Sequence, residues 1–256
     1  MPYVDADGAP LRVIELNQAP EDGHYFQLMR AIGFREHPGP EDSETNPTHW
    51  APAHHPSDNP GPGNRTDLAS VPWVFWSFIA SYGRQSAPAI LHDHQSELAR
   101  AMPTAEALRA RRADDRLFRV GLRQQKVPLL RAWLMWTVVS YWRYLAHAPI
   151  RFAAMTVQTA LGAAAVHLAV ILSTGHPLWL LLLLAPAVGS LAWRAEAPLL
   201  AWGSYGLAVL APLMVLQTLA LIPYWVLEVL VRELVDRPFV DHKPDTQLGP
   251  FFRAGR

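Results

Sequence analysis

The sequence predicts a mainly α-helical protein with three parts: a small N-terminal β element, a helical domain that carries a His-Asp pair, and a C-terminal transmembrane bundle of about three spans. Three observations predict this class. Short alternating apolar runs precede residue 37, helical periodicity begins at residue 71, and charge almost disappears after residue 152. From residue 153 to 231 the only formally charged residues are Arg194, Glu196 and Glu228. We therefore expect a soluble domain over 1–150, membrane helices over 151–235 and a polar tail over 236–256.

The first 64 residues combine two apolar runs with a proline-rich insertion. Residues 11–17 and 24–36 alternate partly and are separated by Pro-Glu-Asp-Gly, a pattern typical of two β-strands joined by a turn. Residues 37–64 contain seven prolines and three glycines, which predicts an irregular insertion. The insertion also holds four histidines without a helical i, i+4 spacing or a known ligand pattern, which favours a solvated loop over a metal site.

Helical periodicity predicts four helices, over 71–82, 86–101, 104–125 and 129–147. Gly83, Pro103 and Pro128 separate them, and Thr104 suits a helix start.

Three apolar stretches follow, at about 153–172, 177–193 and 199–231. Each is near or above the ~17–25 residues that cross a bilayer. Arg143 and Arg151 before the first span, and Arg194 after the second, place those connections in the cytoplasm. We expect an integral protein of a bacterial inner membrane with its N-terminal domain in the cytoplasm.

A fourth span over 129–145 is the alternative. Its apolar part, 132–142, is only 11 residues long, which favours an amphipathic helix that lies on the membrane or closes the soluble domain.

Composition limits the function classes. The formal net charge of zero argues for no nucleic-acid partner, so the expected partners are the lipid bilayer and either a second copy or another membrane protein. The chain has no cysteine, which excludes disulfides, zinc-thiolate sites and cysteine nucleophiles.

Chemistry-bearing residues lie in the soluble part. His92 and Asp93 fall in the second predicted helix, Asp115 in the third, and Asp67 in the loop before the first. His92 could act as a general base on water, with Asp115 holding its tautomer. Asp67, Asp93 and the carbonyl of Leu68 are hard oxygen donors suited to Ca²⁺ or Mg²⁺.

A purely structural role for these residues is the competing hypothesis. In it Asp67 caps a helix, His92 is a hydrogen-bonded core histidine, and the acids at 93 and 115 pair with arginines, for which the candidates are Arg84, Arg116 and Arg119.

The segment from residue 66 to about 143 resembles DUF1353, a family common in tailed phages and prophages. The family pattern looks like Thr-Asp-Phe-Ala-Ser-Val-Pro, then His-Asp-x-x-Tyr, then Ala-Asp-x-x-Phe. Residues 66–72, the pair His92-Asp93 and residues 114–118 match it here. The resemblance implies a phage-derived protein but brings no established activity.

The His-Asp core is also similar, more weakly, to bacterial secreted phospholipases A2. That similarity implies calcium ligation by Asp67, Leu68 and Asp93, water activation by His92, and support of His92 by Asp115. The sequence departs from both families at Ser96, where they have an aromatic residue, and from the phospholipases in lacking disulfides.

Two functional hypotheses follow. One is a membrane-anchored, metal-dependent hydrolase of lipid or a related ester. The other is a non-catalytic, phage-derived membrane module for assembly or docking.

Overall fold

The computed structural model describes residues 2–18, 26–37, 47–54, 66–68, 79–80 and 82–236. Within these residues the chain is mainly helical with a small N-terminal β region, which confirms the predicted class at that level. The predicted helix over 71–82 lies mostly outside the described residues, as do most of the insertion and the polar tail.

The β region forms two small antiparallel sheets. β1 (Tyr3–Asp5) pairs with β4 (Ile32–Phe34), which pairs in turn with β5 (His49–Ala51). β2 (Leu16–Gln18) pairs with β3 (Phe26–Leu28) as a hairpin.

Two details of the strand prediction are wrong. Residues 24–36 hold two strands rather than one, because the chain turns at Met29, whose amide donates to the carbonyl of Glu15. The insertion is not wholly irregular, since β5 extends the free edge of β4. Gly33 permits this approach: a Cβ there would lie 2.9 Å from the Trp50 ring.

Three of the four predicted helices are confirmed to within one residue. They are α1 (Ser86–Arg100), α2 (Thr104–Gln124) and α3 (Leu129–His147). Pro103 and Pro128 immediately precede α2 and α3 with φ of −56° and −53°. Their rigid φ and missing amide proton end the preceding segment without removing a helical hydrogen bond from the next.

Two buried clusters position α1 and α2. Tyr3, Ile32 and Phe34 of the first sheet pack against Ile90 and Leu91 of α1. A second cluster joins residues of α1, α2 and α3: Ala89, Phe118, Leu122, Ala132 and Met135. The apolar faces of the three helices therefore hold α2 between α1 and α3.

The C-terminal half is a set of packed apolar helices. α4 (Pro149–Ser173) is followed by a 3₁₀ segment (Pro177–Leu184), α5 (Ala185–Ser190), a second 3₁₀ segment (Leu191–Glu196) and α6 (Ala197–Val231), with a short π-helical turn (Arg232–Asp236) at the end.

The helical path breaks at Arg194, which has φ 52° and ψ −112°. The chain reverses direction there. As a result Tyr205 of α6 lies beside the segment before the break, and its hydroxyl donates to the Leu183 carbonyl at 2.7 Å.

Two stretches are long and apolar enough to cross a membrane, Pro149–Ser173 and Pro177–Leu234. This criterion alone is weak evidence of a span, and it does not confirm about three spans. In an 18-residue apolar part of each stretch, only 28% of the first and 6% of the second is buried. A core helix of a soluble protein would be mostly buried.

Helix α3 is not one of these two stretches within the described chain. It lies between α2 and the apolar helices. Its Tyr144 packs with Met155 of α4 and Leu199 of α6, and the ring of Trp133 stacks on Trp202 at 5.1 Å. The helix thus packs against α2 on one side and α4 and α6 on the other, and it is not among the candidate spans.

Candidate functional site

The packing of α1 against α2 brings His92 and Asp115 together. His92 Nε2 lies 2.8 Å from Asp115 Oδ1, His92 is 7% exposed, and Asp115 is fully buried. A carboxylate can only accept, so Nε2 carries the proton and Nδ1 keeps a lone pair. Within the described part of the chain, no hydrogen-bond partner is found for Nδ1.

Local packing holds the His92 ring in place. Phe118, one helical turn after Asp115, lies 4.9 Å from the imidazole between ring centroids. Ser96 donates its hydroxyl to the His92 carbonyl at 2.6 Å. Ser96 therefore binds its own helix and does not contact Asp115.

The second oxygen of Asp115 has a partner that the sequence interpretation missed. Arg143 of α3 is 2% exposed, and its Nη1 donates to Asp115 Oδ2 at 2.5 Å. Its Nη2 donates to Glu196 Oε2 at 3.3 Å, and Arg112 lies 3.5 Å from the other Glu196 oxygen. In the sequence analysis Arg143 served only to predict membrane topology. No local pattern indicates that its side chain is buried.

The arginines expected to pair with the acids have other partners. Arg84 donates to the Lys126 carbonyl, Arg116 pairs with Glu36, and Arg119 lies over the Trp133 ring at 4.1 Å. Asp115 is paired by an arginine 28 residues away, which helical periodicity could not reveal.

Burial governs the titration of this cluster. Desolvation lowers the pKa of His92, although the neighbouring Asp115 opposes that change, so the imidazole is neutral at pH 7. Burial raises the pKa of Asp114 to about 6 against the opposing charge of Arg111. Arg111 is itself buried, and its Nε has no hydrogen-bond partner within the described residues.

The predicted cation ligands form a second group. Thr66 donates its hydroxyl to Asp93 Oδ2 at 2.5 Å and accepts the Leu68 amide at 2.9 Å. The Thr66 amide and carbonyl also bond Phe26 of β3, each at 2.8 Å. Leu68 adopts φ 65°, so this loop makes a tight turn in which Thr66 contacts both α1 and β3.

The two carboxylates of this group repel each other. Burial, followed by the charge of Asp67, raises the pKa of Asp93 well above its usual value, although solvent still reaches part of the side chain. Among the described residues, no three His, Asp or Glu side chains form a metal-binding group. Residues 69–72, the end of the matching heptapeptide, lie outside the described part.

A small open pocket with room for about one water molecule lies beside His92. Its polar wall is formed by His92, Gln95 and Asp114, and its apolar wall includes Leu117 and Phe118. Neither Asp67 nor Asp93 lines it. The structure therefore joins His92 to Asp115, and places Asp93 near Asp67, but does not bring the two groups into one pocket.

Comparison with known families covers this same segment. Residues 61–139 match the DUF1353 family model. The model is described as "Protein of unknown function (DUF1353)", and the match supports the family assignment of the segment that carries His92, Asp93 and Asp115.

No curated protein and no solved structure matched the chain. The phage origin and the phospholipase A2 similarity therefore stay predictions.

Proposed function

We propose that this DUF1353 chain is a membrane-anchored hydrolase of lipid or a related ester, with His92 as general base and Asp115 as its orienting partner. One observation carries the proposal: a buried imidazole that donates Nε2–H to a buried carboxylate beside a pocket. This is the arrangement in which the other ring nitrogen can take a proton from water.

The chemistry needs few groups. Neutral His92 accepts a proton through Nδ1 as the water oxygen bonds to the ester carbonyl carbon. Asp115 stabilises the imidazolium that forms, and the imidazolium then protonates the departing alkoxide. The pocket itself has room for little more than the attacking water, so the ester would approach it from its open side.

A cation would bind at the second group. The oxygens of Asp67, Asp93 and the Leu68 carbonyl suit Ca²⁺ or Mg²⁺. Burial first, and then the charge of Asp67, raises the pKa of Asp93, and a cation would relieve the second of these effects.

Three membrane spans are the arrangement that we propose for the anchor. The reversal at Arg194 divides the second candidate stretch into two antiparallel parts, and α6 alone is about 52 Å long at ~1.5 Å per residue. Large apolar side chains of α4 and α6 are exposed, among them Leu161, Ile171 and Leu216. Lipid tails would cover these side chains, with the N-terminal domain in the cytoplasm.

The test is hydrolysis of a fluorogenic phospholipid ester by the full chain in lipid nanodiscs. Replacing His92 by Gln should lower the rate by about 10²–10⁴-fold, the usual loss for a general base. The substitution His94→Gln on the same helix is the matched control and should leave the rate unchanged. Chelator and added Ca²⁺ form a further arm, in which Asp93→Asn should abolish any cation dependence.

Two outcomes would count against the proposal. One is that the wild-type chain hydrolyses no phospholipid ester in the nanodiscs. The other is a folded His92→Gln variant that cleaves as fast as the wild type.

A non-catalytic membrane module is the second candidate. The observation that favours it is the bond of Arg143 to both Asp115 and Glu196, since the same buried pairs could serve to hold the DUF1353 segment on the apolar helices. In that case His92→Gln changes thermal stability and no ester is cleaved.

A further inference from the structure

We infer that Arg143 and Glu196 are positioning residues that couple the His92–Asp115 pair to the start of α6. The inference rests on the proposed function, because His92 is the base of that site. Its experiment needs no substrate, so the inference and the hydrolase proposal can fail separately.

Four buried side chains form a continuous path. His92 bonds Asp115 at 2.8 Å, Asp115 bonds Arg143 at 2.5 Å, and Arg143 bonds Glu196 at 3.3 Å. None of the four is more than 7% exposed. Water cannot replace a lost partner at such positions, so each side chain depends on its neighbours in the path for orientation.

Asp115 and Arg143, in the middle of the path, each bond two side chains. Asp115 gives one oxygen to His92 and the other to Arg143, which fixes the plane of the carboxylate. Arg143 gives one terminal nitrogen to each carboxylate, while its Nε is buried without a hydrogen-bond partner in the described structure. The rigid guanidinium fork therefore transmits any displacement of Glu196 to Asp115.

The position of Glu196 makes this path responsive to the membrane helices. Glu196 immediately precedes α6 and follows the break at Arg194. Arg112 of α2 holds this point from outside by donating to the Ala195 carbonyl at 2.9 Å. A tilt of α6 against α3 would thus change the distance between Glu196 and Arg143 before it changed any contact within α1 or α2.

The experiment measures the imidazole directly in the full chain, labelled with ¹⁵N-histidine in lipid nanodiscs at one fixed pH. The His92 signal is assigned by its loss in His92→Gln. In the wild type we expect the Nε2–H tautomer with slow exchange of that proton. Arg143→Gln should speed the exchange by about ten-fold or more, because Asp115 loses a charge-assisted bond. Glu196→Gln should act in the same direction with a smaller change, and Arg143→Lys should restore part of the wild-type signal.

A double variant and two controls define the path. In Arg143→Gln, the added Glu196→Gln should have no further effect, because its influence passes through Arg143. Arg109→Gln and Glu106→Gln remove exposed charges of α2 and should leave the His92 signal unchanged.

An unchanged His92 tautomer and exchange rate in folded Glu196→Gln would overturn the coupling. The same holds for additive effects in the double variant. If Arg143→Gln does not fold, Glu196→Gln and Arg143→Lys decide the matter alone. Ester hydrolysis plays no part in this readout, so an inactive wild type would count only against the hydrolase proposal.

Discussion

Adjacent acids of α2 differ sharply at the residue scale. Asp115 is fully buried and bonded to both His92 and Arg143. Asp114, 9% exposed, faces the pocket, and burial raises its pKa to about 6. The sequence identified Asp115 as the partner of His92 from the motif and the helical register. The environment of Asp114 depends on packing that no local pattern encodes.

The raised pKa of Asp114 predicts a pH dependence of stability. In the unfolded chain this carboxyl ionises near pH 4, and in the folded chain near pH 6, so the folded state binds more protons between these values. The free energy of unfolding should therefore fall as the pH rises from about 4 to 7. Asp114→Asn should remove that loss of stability. At pH 8 the loss is about 2 kcal/mol, after a reduction for the solvent contact of the carboxyl group.

Thermal unfolding at pH 5 and pH 8 measures this effect, with the exposed Asp7→Asn as control. A stability difference between Asp114→Asn and wild type that is equal at the two pH values would contradict the prediction.

At the element scale, α4, α5 and α6 pack at close range through small residues. A Cβ on Gly162 of α4 would lie 2.8 Å from Ser204 Cβ of α6 and 3.4 Å from Pro186 Cβ of α5. Apolar helices in lipid gain little from hydrophobic burial against each other, so close backbone packing carries much of their association. The sequence showed apolar stretches, but it did not show which of their faces meet.

Gly162→Leu should therefore separate α4 from α6 and destabilise the helical part by about 1–3 kcal/mol, as overpacking does. The matched control is Gly206→Leu, because a Cβ on Gly206 has no neighbour within 4 Å. Unfolding in a denaturant series in mixed micelles compares the two variants. Equal stability of both variants would show that this contact does not hold the helices together.

At the scale of the whole molecule, the starts of α4 and α6 lie at the same end as the segment that matches the DUF1353 model. Arg194 and Glu196 are at that end, and the connection at Gly175 is at the other. The apolar surface lies between these ends, and exposed side chains such as Leu168, Leu181 and Val209 contribute to it. This distribution of charge and apolar surface supports the proposal of three spans.

The absence of cysteine makes the topology testable with single introduced cysteines and a membrane-impermeant maleimide in sealed vesicles. Three spans predict that positions 109 and 195 are labelled from one side, and positions 175 and 232 from the other. Two spans would place position 232 on the same side as 109. Labelling of 232 together with 109 would therefore exclude the three-span arrangement.

The sequence by itself determined the mainly helical class, the bounds of α1, α2 and α3 to within a residue, and the pairing of His92 with Asp115 as a candidate. These depend on periodicity, on proline and on a short motif, all of which are local properties of the chain. Only the tertiary structure decided that Arg143 bonds both Asp115 and Glu196 and that Asp93 does not line the pocket. Both facts depend on which helix faces meet, and that follows from packing between residues up to 53 positions apart.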